Sequence, residues 1–309
     1  MKLSAIADIP QLQPLLLSWR RIVDIRPVLV AISDQGLVCC WKDGSTWMRR
    51  DGFWPLGSCQ DGVPLQREAI AELLADLLLD CDVIGARIVL CLPLAAACWR
   101  VLEGMPPEQI RQVADPRILL LESGWAQGLE DSYLALDNCG GNVVVTSVSR
   151  TLLQGWVDVV ERADLPLTRV DWSLTAAHRA VLRLTEEWLG DRAWLILDGQ
   201  VGRLVLIRDG VADLDFVLAR PTPSSATAWI RERVTAWRER MQSMESLGWW
   251  LSVTAEEQMD WSVLVDSDAG EVLLNQALSW CPHDWDGDAD HVALSPLHHL
   301  ALTALQQEV

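Results

Sequence analysis

Two short turns carry the residues best placed to do chemistry, Asp34-Gln35-Gly36 and Asp198-Gly199-Gln200-Val201-Gly202. Each lies between two apolar runs and reads as the bend of a hairpin. Such a bend becomes a phosphate cradle when glycine lets backbone N–H groups converge on phosphate oxygens, Ser or Thr adds donors, and Asp organises Mg²⁺ or its waters. Asp34, Gly36, Asp198, Gly199 and Gly202 are therefore the candidate residues of a nucleotide cleft. Against that chemistry, Leu37, Val38 and Cys39 follow Gly36 directly, and no Ser or Thr follows either glycine pair. Asp-Gly is also ordinary hairpin chemistry, so the residues predict plain turns ahead of phosphate cradles. Arg203, at the end of the second bend, reads as a solvated hairpin-end residue.

The remaining chemical constellations are weaker. The segment Cys281–His291 holds one Cys, two His and four Asp. As a calcium loop counted from Asp284 it has Ala289 where glycine is required and Ser295 where glutamate is required, so no metal site is predicted. His298 and His299 are adjacent on a predicted helix and point about 100° apart, which rules out joint chelation. His178 falls on an amphipathic helix as a half-buried structural residue. No G-x-S-x-G elbow occurs, and the two lysines, Lys2 and Lys42, lie outside any phosphate-loop context, so no catalytic residue is predicted.

Composition narrows the partners. The 309 residues carry 25 Lys plus Arg against 43 Asp plus Glu, a net charge of −18 that repels nucleic-acid phosphates and anionic lipid over most of the surface. Eight scattered cysteines without a C-x-x-C pair suit reduced thiols rather than a disulfide framework. Asp8, Pro10 and Pro14 interrupt the N-terminal apolar residues, and the stretch from Ile88 to Trp99 is far shorter than the roughly 20 residues of a membrane span. The expectation is a cytoplasmic protein without its own anchor. Tryptophan is unusual, 17 Trp against 2 Phe and 1 Tyr, and reads as core filling, with Trp249-Trp250 the pair to examine for exposure.

The elements that must position these residues follow from periodicity. Strands near Val28–Ile32, through Trp41 and around Thr46–Arg49 form a meander, and apolar residues at helical spacing in "REAIAELLADLLLD" add a helix. A β-β-α-β-β module follows over residues 87–149, from "RIVLCLP" through a helix at "PPEQIRQVA" to "NVVVTSVS". Two helices flank the short strand "LTRVDW". A second meander opens at Ala193, about 165 residues after the first, which suggests a duplicated fold. A long helix then places Ile230, Val234, Trp237, Met241 and Met244 on one stripe, "WSVLVDS" is predicted as a strand, and Pro296 starts a final helix. The domain reading is 1–86 plus 150–190 for the first lobe, 87–149 for the insertion, and 191–309 for the second lobe.

In this order the parts resemble the actin-like ATPase superfamily, and more narrowly the PilM family of type IV pilus assembly proteins, relatives of FtsA and of the cytoplasmic part of GspL. The resemblance rests on the strand ending Leu92-Pro93, on Arg100, on Pro106-Pro107, on "SYLALD", on the run from Val143 to Val181 with its Ala163-Asp164-Leu165 helix end, and on "LVLIRDG". It implies an α/β, two-lobed actin-like (ribonuclease H-like) duplicated fold with a small β-β-α-β-β insertion in the first lobe. Compared with nucleotide-binding members, the first turn is about three residues short and the second about two. The family's Gly-Gly pair beside adenosine is replaced by Arg220-Pro221-Thr222-Pro223. The expectation is a pseudo-ATPase without ATP or Mg²⁺, acting as a scaffold of a pilus or secretion platform. By the resemblance it docks the cytoplasmic peptide of a PilN-like inner-membrane protein between the first lobe and the insertion, and the chain's acidity suggests a basic peptide. The alternatives are an active actin-like ATPase or small-molecule kinase, with Asp198 as the carboxylate in the cleft, and a GspL-like type II secretion component.

Overall fold

The structure, a computed structural model, describes residues 26–83, 85–102, 117–118, 120, 130–139, 142–184, 190–198, 201–219, 221–253, 257, 260–264 and 295–308. In chain order the first half contributes β1 (Pro27–Ile32), β2 (Gly36–Asp43), β3 (Thr46–Phe53), the short pair β4 (Cys59–Gln60) and β5 (Val63–Pro64), helix α1 (Arg67–Asp80) and β6 (Arg87–Leu92). A 3-10 turn, Leu94–Ala96, leads to β7 (Ala97–Leu102), β8 (Ser132–Cys139) and β9 (Asn142–Ser149). The first half resumes with α2 (Arg150–Arg162), β10 (Leu167–Trp172) and α3 (Ser173–Leu184). The second half holds β11 (Asp191–Asp198), β12 (Val201–Arg208), β13 (Val211–Ala219), α4 (Pro223–Arg240) and β14 (Leu247–Ser252), and α5 (Pro296–Glu308) closes the chain.

The two meanders build the same sheet twice. The first sheet runs β10-β6-β1-β2-β3, with β1 antiparallel to β2 and parallel to β6. The second runs β13-β12-β11-β14, with β11 antiparallel to β12 and parallel to β14. Starting from the outer strand of each meander, the orders β3-β2-β1-β6 and β13-β12-β11-β14 are equivalent, which is the duplication that the sequence spacing predicts.

Side-chain alternation shows why the halves belong together. In β11, β12 and β14, Ala193, Leu195, Leu204, Leu206, Trp249 and Leu251 pack with Ile230, Val234 and Trp237 of α4. The alternate residues Trp194, Ile196, Val205, Ile207 and Trp250 point the other way, into the core shared with the first half. Strand period 2 therefore gives the second sheet two different apolar faces. Helices α3 and α5 pack on each other, and α5 touches both β1 and β11. That pair fills the space between the sheets.

Several expectations change. Arg87–Leu92 is a strand of the first sheet, paired with β1 and β10, so the inserted sheet, in order β7-β9-β8, begins at Ala97. Helix α5, assigned by sequence to the second lobe, packs against α3 of the first. Trp249 and Trp250 are buried in β14, a strand that the sequence reading left out; residues 262–264, within the predicted strand "WSVLVDS", form a 3-10 turn. Helix α4 ends at Arg240, so Met244 lies beyond it and is fully exposed. Asp164 takes the left-handed conformation (φ 54°) at the end of α2, and Leu165 N–H reaches back to Val160 O, so an aspartate does the work of the usual C-terminal glycine. The predicted insertion helix at 106–114, the Cys281–His291 segment and Gly199 lie outside the described residues. No helix among the described residues is long and apolar enough to cross a membrane.

Candidate functional site

The first turn is closed by the chain's own groups. Ser33 Oγ accepts from the amides of Gln35 and Gly36 at 3.3 and 3.2 Å, so the backbone donors that a phosphate would need are turned onto a side chain. Asp34 is engaged as well: Oδ1 accepts from Gly62 N–H at 2.9 Å and Oδ2 from Asp61 N–H at 3.1 Å. The Cys59 thiol lies 3.7 Å from Oδ1, and burial beside that carboxylate pushes it up to about 12, which keeps its proton in place to donate. Gly36 is glycine for packing reasons, since a Cβ there would sit 2.2 Å from Gly52 O on β3. The β4–β5 turn that Asp34 holds is gripped from behind by Trp156, whose indole N–H donates to Gly62 O at 2.8 Å.

At the second turn, the described residues are the two strand ends, Asp198 and Val201-Gly202. Asp198 ends β11 half-buried, opposite Val201. A Cβ on Gly202 would meet Pro221 Cγ at 2.7 Å, Leu197 Cδ2 at 3.1 Å and Leu218 Cβ at 3.3 Å. Pro221 thus covers this glycine.

Arg203 is the main correction. It is buried (5% exposed) rather than solvated, pairs through Nη1 with Asp215 of β13, donates through Nη2 to Ala97 O at 3.4 Å, and lies over the Trp172 ring at 5.2 Å. A buried charge needs this degree of pairing, and burial still raises the Asp215 carboxyl against the opposing pull of Arg203. Around it the tryptophans fill the interior: Trp99 meets Trp172 edge-on at 6.0 Å and His178 edge-on at 5.5 Å, and His178 stacks on Trp194 at 6.5 Å. Burial, with Arg192 and Arg179 nearby, pushes His178 down to about 4, so it is a neutral core residue at neutral pH. Trp172 Nε1 donates to Pro93 O at 3.0 Å, fixing the crossing from β6 into the inserted sheet. Nothing in the sequence pairs Arg203 with Trp172; the only trace is an arginine at an inward-facing place in an otherwise apolar strand.

An open concavity of about 350 Å³ lies between the first half and the inserted sheet, with Leu92, Val170 and Trp172 on one side and Leu134, Thr146 and Val148 on the other. The sequence reading expects peptide docking between the first lobe and the insertion, and this concavity lies between those two parts. Its charged end is built on Asp171, whose Oδ1 accepts from Trp172 N–H and Thr175 Oγ at 2.9 and 3.0 Å and whose Oδ2 meets Arg169 and Arg179, both at 2.6 Å. Those partners hold the Asp171 carboxyl below its usual range despite burial. Among the described residues, no group of three or more His, Cys, Asp or Glu is placed to hold a metal ion.

No family model matches this chain, and no curated protein matches it. Among solved structures it is similar to a PilM–PilN type IV pilus biogenesis complex, with 16% identity and a TM-score of 0.61 over 80% of this chain and 87% of that one. It is similar to a Bacteroides thetaiotaomicron protein with an actin-like ATPase fold and unknown function, with 10% identity and a TM-score of 0.52 over 80% and 90% of the two chains. The cytoplasmic domain of EpsL, an inner-membrane component of the Vibrio cholerae type II secretion system, aligns at 13% identity and a TM-score of 0.47 over 91% and 95%. At such identities the likeness is one of architecture, and together with the repeated sheet it establishes that this chain has the actin-like fold.

Proposed function

We propose that the protein is a non-catalytic cytoplasmic scaffold of a type IV pilus or related secretion or DNA-uptake platform, recruited to the inner membrane by the cytoplasmic peptide of a PilN-like protein. The observation that carries the non-catalytic part is the engagement of Asp34, whose two carboxylate oxygens each accept a backbone amide of the neighbouring turn. To organise Mg²⁺ it would give up both bonds, and the part-buried Gly62 amide left without its acceptor costs about 1–3 kcal/mol. Gly36 and Gly202 face Gly52 and Pro221 instead of an open approach, which supports plain turns over a magnesium triphosphate cradle at these two glycines. The groove supports the docking part: its volume of about 350 Å³ suits a few side chains of a peptide, and it lies where the inserted sheet meets the first half. The likeness in fold to the PilM of a PilM–PilN complex supports the choice of partner.

Titration calorimetry tests the first part. MgATP at millimolar concentration gives no binding heat, whereas micromolar binding would return the chain to the ATPase or kinase reading. Co-purification with the PilN-like membrane protein tests the second, and its loss on Ala135→Trp, which fills the groove from β8, is the expected result. A complex that survives that substitution would place the contact elsewhere.

A further inference from the structure

The groove presents guanidinium groups on a protein whose net charge is −18. Arg169 and Arg179 line one end and converge on Asp171. Glu308, at the end of α5, meets Arg169 Nη2 at 2.8 Å, Arg179 Nε at 2.9 Å and Arg183 Nη2 at 3.3 Å. Three guanidinium groups thus share two carboxylates, and the exposure is uneven. The side chains of Asp171 and Glu308 are 8% and 17% exposed, those of Arg169, Arg179 and Arg183 are 39%, 31% and 46%. An incoming ligand meets the cationic side of the network. Further along the groove, the exposed ring of Tyr133 carries Arg150 at 5.0 Å from its centroid. Between these points the wall is apolar, apart from Thr175 and Thr146, and the buried hydroxyl of Thr146 has no hydrogen-bond partner among the described residues.

We infer that the groove takes a peptide with a short apolar run flanked by an Asp or Glu, whose carboxylate lies against Arg169 and Arg179, and that it discriminates against the basic segment which the chain's overall acidity suggests. The inference rests on the groove being the partner site and specifies the chemistry of that partner. A carboxylate there gains charge-assisted hydrogen bonds from groups already held in place by Asp171 and Glu308. A lysine or arginine in the same position meets like charge in a partly enclosed site, where repulsion is only weakly screened.

The test selects random displayed peptides on the full chain, with Ala135→Trp, checked for native circular dichroism, as counter-selector. Groove-dependent binders enriched in Asp or Glu beside apolar residues are expected. For a synthetic binder, Glu→Gln weakens affinity by about tenfold and Glu→Lys by more, as lost charged hydrogen bonds require. Arg169→Gln removes the difference between the Glu and Gln peptides, which separates direct recognition from a general loss of structure. Enrichment in Lys or Arg, indifference to Glu→Gln, or no groove-dependent binder would overturn the inference. The PilN-like peptide is titrated in parallel. If acidic library peptides bind and it does not, the choice of partner fails while the inference stands. If it binds in the groove with its acidic residues changed to amides and no loss, the inference alone fails.

Discussion

Asp34 and His178 illustrate how a side chain that looks chemical can be structural. The sequence offers Asp34 as a magnesium-organising carboxylate, yet it closes the β4–β5 turn through Asp61 and Gly62, both in left-handed conformations (φ 49° and 76°). Asp34→Ala therefore removes the acceptor of both amides and costs about 2–4 kcal/mol, roughly 1.5–3 for the part-buried Gly62 bond and less for the exposed Asp61 bond, read as a drop in the urea midpoint. Asp34→Asn, which keeps one acceptor, loses less; equal stability of all three proteins would show that the turn stands without it. His178 makes a pH prediction. Its folded-state value of about 4 lies below the ordinary 6.5, because charging it among Trp99, Trp194 and two arginines is unfavourable. Above pH 6.5 both folded and unfolded states hold a neutral ring. As pH falls from there toward 4 the unfolded chain takes up a proton that the folded chain refuses, so stability is lost across that window by roughly 3 kcal/mol. His299 is lowered in the same way, so His178→Leu flattens the acid-side slope only in part. An unchanged slope in that variant would mean that His178 is not the neutral core residue that its surroundings imply.

At the scale of elements, the sequence reading succeeds where one pattern dominates. Both meanders and the strand–helix step at Trp172–Ser173 are local signals and appear as expected, and Thr222 and Ser225 form a capping box around Pro223, the first residue of α4. It fails where partners are distant. "RIVLCLP" is an apolar run adjacent in sequence to the inserted strands, and only its pairing with β1 reveals that it belongs to the first sheet. β14 has no alternation to announce it, because its two adjacent indoles face two different cores. The site was legible in the same measure: the turns announced their positions and the meander pairs β12 with β13, while the Arg203 contacts to β7 and β10 join strands that spacing cannot bring together. Those contacts predict an asymmetric mutational response. Arg203→Met leaves Asp215 buried beside the inserted sheet and costs about 3–5 kcal/mol, whereas Arg203→Met with Asp215→Leu recovers most of it, because removing both charges also removes their desolvation. Additive losses in the double variant, measured by chemical unfolding, would show that the two side chains act separately.

For the molecule as a whole, the consequence of a filled interior is that the halves behave as one body. In an actin-like architecture the two sheets face one another, and here the space between them holds α3, α5 and the inward residues of both sheets in a single continuous core. The same tryptophan-rich contacts that link Trp99 and Trp172 to His178 and Trp194 pass from the inserted sheet through the first half to the second. Opening the halves would expose Trp194, Ile196, Val205, Ile207 and Trp250, each of which contributes on the order of 1.5–3 kcal/mol or more by its burial. On the scaffold reading, such an interior holds the groove in one geometry. The described core therefore predicts one cooperative thermal transition, with calorimetric and van't Hoff enthalpies equal, and no change in midpoint on adding 1 mM MgATP. A ligand with a Kd of 10 μM would stabilise by about 2.7 kcal/mol at that concentration and raise the midpoint by a few degrees, so the measurement has the resolution to decide. Two separate transitions would show that the shared core is too weak to couple the halves.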